Sequence, residues 1–282
     1  ANLKALGPEE FKSAILSFRI AVNQGEKFYG NLSEKHFYDD GSLKEYYDKF
    51  SILDTVEDSS LSLRYIDHNA KLEGGMDFGD MCSLVTGQRR GNYLYALKEF
   101  YTLAPKNEVQ IGEQFRSFYK HHKVKYLELY YDRSGNANSR TKRDWASAAK
   151  KAIEYLPDGT SSGWIVELKS VGQGTIYQEE EFNFAKALME GNVPGLPILK
   201  IDRFKCKCLK SSLELTKILV KTDKNGTRTI HKNKSSESLP LPSRPMFSTN
   251  FSDAFKYWIY RPDFVCLVNT ESQYSGMEPT VH

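Results

Sequence analysis

The run VKYLELYYD at residues 124–132 constrains the fold more than any other part of the sequence. It is rich in aromatic, aliphatic and β-branched residues, as buried strands are, and it ends in a carboxylate followed by the turn-like sequence RSGN. Open α/β sheets place their functional groups where the strands end, at the carboxyl edge. We therefore expect a buried central strand that presents Asp132 at that edge.

The segments on both sides of this run alternate between strand and helix patterns. Residues 108–122, for example, carry Val109, Ile111, Phe115 and Phe118 near helical spacing. This order predicts an α/β domain whose sheet begins antiparallel and continues parallel. The expected strands lie within residues 74–88 (two strands), 92–103, 124–132, 164–171 and 196–210. The expected helices lie at 9–22, 108–122, 141–156, 179–191 and 248–260.

Positive charge is concentrated in two parts of a chain whose net charge is only +3. Between residues 200 and 234, nine lysines and two arginines stand against three acids, which leaves a formal charge of +8. That region contains LVKTDKNGTRTIHK at 219–232, where Asn225–Gly226 predicts a tight, basic β-hairpin that should protrude. The second cluster lies at residues 140–151. Both favour a polyanion partner, and an ordinary solvated lysine-rich surface explains them equally well.

Three aspartates stand where the predicted elements end or begin. Asp77 follows a glycine pair and precedes Gly79, and glycines let backbone and a large anion approach closely. Asp132 ends the central strand, and Asp253 opens an apolar helix, where stabilisation of the helix dipole is the structural alternative. Phosphodiester hydrolysis commonly recruits two divalent ions held by carboxylate oxygens. Singly, each acid has a structural explanation; together they indicate a metal site.

Three stretches carry a resemblance to a known family: GGMDFGDMCSLVTGQ (74–88), LELYYDRSGN and MFSTNFSDAFKY. They resemble the nuclease domain of terminase large subunits, particularly those of tailed phages of Bacteroides-type hosts, over roughly residues 70–265. The resemblance implies a ribonuclease H-like fold, with a mixed central sheet flanked by helices and an inserted basic β-hairpin. It also implies that Asp77, Asp132 and Asp253 hold two Mg²⁺ or Mn²⁺ ions and cut double-stranded DNA.

The same resemblance implies how the chain is organised and what it meets. We expect a lead-in or linker segment over residues 1–70, the nuclease domain over 71–265 and a tail over 266–282. The phosphate-loop pattern G-x-x-x-x-G-K-[ST] does not occur in this sequence, so we expect the ATPase motor to be a separate domain. The resemblance implies that this motor lies N-terminal to the nuclease domain. Expected partners are DNA, the terminase small subunit, the portal and the motor domain, at the procapsid in the host cytoplasm. No run of about 18 apolar residues occurs, so we expect no membrane span.

Two further acids and two alternatives stay open. Asp80 lies three residues after Asp77 and is a candidate outer ligand, whereas Asp202 is a reserve candidate whose basic neighbours suggest a charge-paired surface residue. Expected DNA contacts are Arg133, Arg140, Lys142, Arg143, Lys224 and Arg228. The long gap before Asp253 suggests insertions at 157–200 and 219–232. The alternatives are another ribonuclease H-like nuclease, such as a junction resolvase or integrase, and a non-catalytic DNA-binding assembly module.

Overall fold

The structure is a computed structural model that describes residues 27–39, 58–136, 144–222, 226 and 228–274. Its strands are β1 (Phe37–Tyr38), β2 (Leu72–Asp77), β3 (Met81–Arg90), β4 (Tyr93–Leu103), β5 (Tyr126–Tyr131), β6 (Ile165–Leu168), β7 (Ile198–Asp202), β8 (Ile218–Thr222) and β9 (Arg228–Lys232). Its helices are α1 (Glu108–Phe118), α2 (Trp145–Glu154), α3 (Gln178–Glu190), α4 (Lys207–Leu215), α5 (Arg244–Phe247), α6 (Asn250–Ile259) and α7 (Pro262–Tyr274). No helix in these ranges has the length and apolar character needed to cross a bilayer.

Seven strands form one sheet in the order β1-β7-β4-β3-β2-β5-β6, and β8 and β9 form a separate hairpin. Strand β3 runs antiparallel to its neighbours β2 and β4, and the other pairs in the sheet are parallel. The unit β4-β3-β2-β5-β6 is therefore an antiparallel meander continued by two parallel strands, with helices on both faces. This is the ribonuclease H-like arrangement, and it confirms the predicted fold class and the predicted hairpin.

Each face of the sheet carries its own apolar core because strand side chains alternate. On one face, Leu72 and Met76 of β2 pack with residues of α1 and α2 such as Phe115 and Ala149. On the other face the core is built from residues of α3, α4, α6 and α7. Strand β5 lies between β2 and β6 with its residues 127–131 buried, as its composition predicts.

Two glycines let helix α6 lie directly on the sheet. A Cβ placed on Gly75 would overlap the carbonyl oxygen of Ala254, and one on Gly87 would overlap the indole of Trp258. Only glycine fits at such close approach. We expected the glycines beside Asp77 to admit an anion, but Gly75 admits a helix instead. The consequence is that the first turn of α6 reaches the ends of the central strands.

The expected single strand over residues 196–210 is wrong in its second half. Asp202 ends β7, and one of its carboxylate oxygens accepts the backbone N–H groups of Phe204 and Lys205, both at 2.9 Å. The chain turns there and continues as α4. The carboxylate of Glu99, from β4, accepts the first free N–H groups of that helix, those of Cys208 and Leu209. A cap from so distant a residue has no local signature in the sequence.

Part of the expected lead-in segment belongs to the same packed unit. Phe28 and Tyr29 are buried in the core beneath α3 and α6, and β1 adds a parallel strand beside β7. Helix α7 likewise continues across residue 266, where we placed the start of the tail. The predicted N-terminal helix over residues 9–22 lies outside the described residues.

Candidate active site

Two neighbouring strands and one helix bring the three predicted acids together. Asp77 is the last residue of β2, and Asp132 follows β5, which is parallel to β2 and adjacent to it. The backbone N–H of Asp132 donates to the carbonyl of Met76 at 3.2 Å, so the two acids leave the sheet side by side. Asp253 lies in the first turn of α6, and the side-chain amide of Asn250 in that turn donates to Asp77 Oδ2 at 3.4 Å.

Asp77 is crowded by negative charge. Burial and the neighbouring carboxylate of Asp253 raise the pKa of Asp77 to about 8, and Asp132 adds to this effect, whereas the ammonium groups of Lys256 and Lys234 oppose it. Like charges held in a buried cluster are characteristic of sites that bind a cation or move a proton.

Asp253 differs, because lysines surround it. Lys232 and Lys234 place their Nζ atoms 2.7 Å from its Oδ1 and Oδ2, and Lys256 Nζ lies 3.5 Å from Oδ1. Burial favours the neutral acid, but these three ammonium groups hold the pKa of Asp253 well below its usual range. Lys232 is itself fully buried and also pairs with Glu181 at 2.6 Å. Asp253 is therefore ionised, and both its oxygens have ammonium partners.

The donor set fits a hard divalent cation in part. Asp77 and Asp132 supply carboxylate oxygens from adjacent strand ends, which is the ligand chemistry that Mg²⁺ and Mn²⁺ prefer. Within the described ranges, no three histidine, cysteine, aspartate or glutamate side chains stand close enough to hold a metal ion as they are placed. Both carboxylate oxygens of Asp253 already face ammonium groups. Asp253 would complete the set only where a cation takes the place of one of them.

A small pocket of about 60 Å³ opens beside Asp132. Its walls come from the end of β5, the loop before α3 and the exposed side of α6. They are Asp132, Arg133, Gln173, Gly174, Thr175, Ile176, Lys256 and Tyr257. Of the three acids, Asp132 lines this pocket, and Lys256, which contacts Asp253, lines it too.

Sequence reasoning missed the lysines of this site. Lys256 lies three residues after Asp253, so one helical turn separates them and the spacing does carry a signal. Lys232 carries none, because its contact with Asp253 depends on how the hairpin packs against α6. We predicted the hairpin as a basic, protruding element, but the base of its second strand is buried in the core.

The two reserve acids do not join the cluster. Asp80 is exposed in the turn between β2 and β3, and its role as an outer ligand stays a prediction. Asp202 was expected at the surface, and that is wrong, because it is 0% exposed and accepts backbone N–H groups. Strands β4 and β3 separate it from β2, which amounts to about 14 Å across the sheet.

The predicted DNA contacts are only partly described. Arg133 is exposed next to Asp132, and Arg228 is exposed at the start of β9, whereas Arg140, Lys142, Arg143 and Lys224 lie outside the described residues. Within the described part of the basic run 200–234, acids offset part of the positive charge. Several of its members are paired with acids: Arg203 with Glu34 and Asp39, Lys205 with Asp58, and Lys210 with Glu214.

The fold and the acidic edge together define a ribonuclease H-like α/β protein with three acids at the carboxyl end of its central strands. No protein-family model matches the chain, and no curated protein matches it. Among solved structures it is similar to the large terminase of a thermophilic bacteriophage. The ADP complex of that protein is 13% identical over 93% of this chain and 50% of the other, with a TM-score of 0.46. A second crystal form of that protein is 12% identical over 91% of this chain and 52% of the other, with a TM-score of 0.44. The chain thus spans about half the length of the terminase chains it matches, and the fold assignment rests on strand order.

Proposed function

We propose that this chain is a divalent-metal-dependent endonuclease that cuts double-stranded DNA during the packaging of a tailed-phage genome. The observation that carries the proposal is the meeting of Asp77, Asp132 and Asp253 at one edge of a ribonuclease H-like sheet. The resemblance of the three stretches around these acids to terminase nuclease domains supports it. The small subunit, the portal and the ATPase motor would be its partners in packaging.

The proposed reaction is hydrolysis of a DNA phosphodiester. Water adds to phosphorus and gives up a proton to solvent, one P–O ester bond breaks, and the leaving oxygen takes a proton from solvent. Bound Mg²⁺ or Mn²⁺ would supply Lewis acidity, which activates water and stabilises the charge that develops on oxygen. Asp77 and Asp132 would hold the ions, with Asp253 as the third ligand.

The rest of the chain would position these ligands. Asn250 fixes the carboxylate of Asp77 through its side-chain amide, and the close contact of α6 with Gly75 fixes the distance between helix and strand. Because α6 also buries Asp253, little water competes for that carboxylate. Arg133, exposed beside Asp132, would contact the DNA backbone without reading sequence.

The direct test is cleavage of plasmid DNA by Asp77→Asn in Mg²⁺ or Mn²⁺. Because Asp77 would contact the metal, we expect a loss of more than about 100-fold, beyond the 10–100-fold typical of outer-shell partners. Asp158→Asn is the matched control, since Asp158 is an exposed aspartate in the turn between α2 and β6. Cleavage by Asp77→Asn at the wild-type rate would remove the proposal.

Two other functions are separated by simple measurements. A junction resolvase or integrase would share the acids but would prefer branched or end-specific DNA, so linear, supercoiled and four-way substrates are compared side by side. A non-catalytic assembly module would retain the fold, yet bind no Mn²⁺ at the acids when titrated.

A further inference from the structure

The three lysines around Asp253 differ in how exposed their side chains are and in which other acids they pair with. The side chain of Lys232 is 0% exposed, and its second partner is Glu181. Lys234 is 40% exposed and its second partner is Glu237, at 3.0 Å. Lys256 is 10% exposed, and its distance to Asp253, 3.5 Å, is the longest of the three. Lys256 is therefore the ammonium least committed to that carboxylate.

Lys256 also stands alone among the three in lining the pocket beside Asp132. Among the positive charges that lower the pKa of Asp77, that of Lys256 has the largest effect. Its Nζ sits 4.4 Å from the centroid of the Tyr257 ring, and Tyr257 lines the same pocket. Lys256 therefore both contacts Asp253 and lines the pocket that opens beside Asp132.

We propose that Lys256 is a catalytic residue that contacts a non-bridging oxygen of the DNA phosphate being cut, rather than a permanent counter-ion of Asp253. This inference rests on the proposed nuclease function. A phosphodiester carries one negative charge, and more charge gathers on its non-bridging oxygens as water adds to phosphorus. A preorganised ammonium in a nearly dry site stabilises that charge far better than an exposed lysine would.

The packing around Lys256 suits this role. Its aliphatic stem is buried with α6, and the ring of Tyr257 lies within cation–π distance of its charged end. Lys232, the last residue of β9, is buried and has two buried acids as partners, which makes it a structural cation. Lys232 and Lys256 therefore have different roles: Lys232 holds α6 to the hairpin, and Lys256 contacts the substrate.

The test compares Lys256→Met with Lys234→Met, which removes another partner of Asp253 from outside the pocket. Methionine keeps an unbranched apolar stem in each case. DNA binding is measured with a short duplex in the Asp77→Asn background, where we expect no cutting. Let K be the association constant for the duplex. Lys256→Met should reduce the magnitude of the slope of log K against log salt concentration by about 1, as expected for one lost phosphate contact. Lys234→Met should leave that slope unchanged. In the parental background with Mn²⁺, Lys256→Met should lower kcat by about 10²-fold.

Lys256→Arg serves if the methionine variant fails to fold, as judged by its melting curve. It should keep the salt slope but lower kcat about tenfold, because a planar guanidinium places its charge differently from an ammonium. The inference is overturned by an unchanged kcat in either Lys256 variant, by a parental salt slope in Lys256→Met, or by equal slope changes at positions 256 and 234. If the unmodified protein cuts DNA and Lys256→Met cuts equally well, only this inference fails. If the unmodified protein cuts no DNA with Mn²⁺ or Mg²⁺, the proposed function fails and this inference with it.

Discussion

Strand β2 carries two buried acids on the same face, and their surroundings are opposite. Glu73, near its start, is 4% exposed and accepts from Arg261 Nη1 at 2.8 Å and from Trp258 Nε1 at 3.1 Å. Asp77, at its end, is 9% exposed, and its neighbours include two further carboxylates and a weakly donating amide, that of Asn250. The same strand and the same helical layer thus hold an ion-paired acid at one end, Glu73, and an acid close to other carboxylates at the other end, Asp77.

On the proposed function, the two ends of the sheet serve different purposes. A buried acid paired with a buried arginine and an indole contributes to the fold, because removal of either charge leaves the other without compensation. A buried acid that lies close to other acids lowers the stability of the fold. Proteins retain such an arrangement at sites where their function requires it. The comparison predicts that damage at the Glu73 end will lower stability and damage at the Asp77 end will lower activity.

The largest effect on stability should come from Arg261→Met. It leaves the carboxylate of Glu73 buried without its ion-pair partner, which should lower the free energy of unfolding by about 3–5 kcal/mol. Urea denaturation measures this, with Arg89→Met as a control because Arg89 is exposed on β3. A loss below about 1 kcal/mol would show that the two ends of β2 do not differ as described.

Gly75→Ala should damage both ends at once. The new methyl group would meet the carbonyl of Ala254, so α6 must move away from the sheet, at about 1–3 kcal/mol. Because Asp253 moves with α6, DNA cleavage should fall too. Gly174→Ala is the matched control for the stability measurement, since a Cβ there meets nothing within 4 Å. An alanine variant at 75 with parental stability would contradict the close packing of helix and strand.

Asp77→Asn should make the protein more stable while removing activity. Because the pKa of Asp77 is about 8 in the folded protein, this acid is mostly protonated at pH 7, whereas it ionises in the unfolded chain. The amide removes the cost of taking up that proton on folding, and we expect a gain of at least about 1 kcal/mol at pH 7 without metal. Thermal unfolding in chelator measures it. A lower melting temperature would mean that Asp77 contributes to the fold in the way that Glu73 does.

The smallest effect concerns a histidine pair at the Glu73 end of β2. His122 is buried, its Nε2–H donates to the carbonyl of Ala70 at 2.9 Å, and its Nδ1 lies 3.2 Å from Nδ1 of His68. Burial, with the nearby charge of His68, lowers the pKa of His122 to about 4. An unfolded histidine titrates near 6.5.

The unfolded chain therefore takes up a proton at His122 between pH 6.5 and 4 while the folded protein does not. Stability from this group is fully present above about pH 6.5 and falls as the pH drops towards 4. His122→Gln keeps a donor for the carbonyl of Ala70 and removes the titration, so its melting temperature should vary less with pH over that window. An equally steep profile in both proteins would assign the pH dependence to other groups.

Local patterns predicted the central strands and the acids they carry. A buried strand is recognisable from a short apolar run, and its end from the polar or turn-forming residues that follow it. The run 124–132 placed Asp132 at the carboxyl edge, and the Asn225–Gly226 pair predicted the hairpin β8–β9. What escaped were contacts between distant parts of the chain. Lys232 reaches Asp253 through the packing of hairpin on helix, Glu99 caps α4 from another strand, and Asp202 is buried despite its basic neighbours.

The central claim is that the crowded acids at the end of β2 are a divalent-metal site. A crystal of the protein soaked in Mn²⁺, with the ions located by their anomalous scattering, tests it most directly. We predict Mn²⁺ bound to oxygens of Asp77 and Asp132, with Asp253 turned to it from at least one lysine. Crystals in which Mn²⁺ sits elsewhere, or in which those carboxylates bind none at millimolar concentration, would contradict the account.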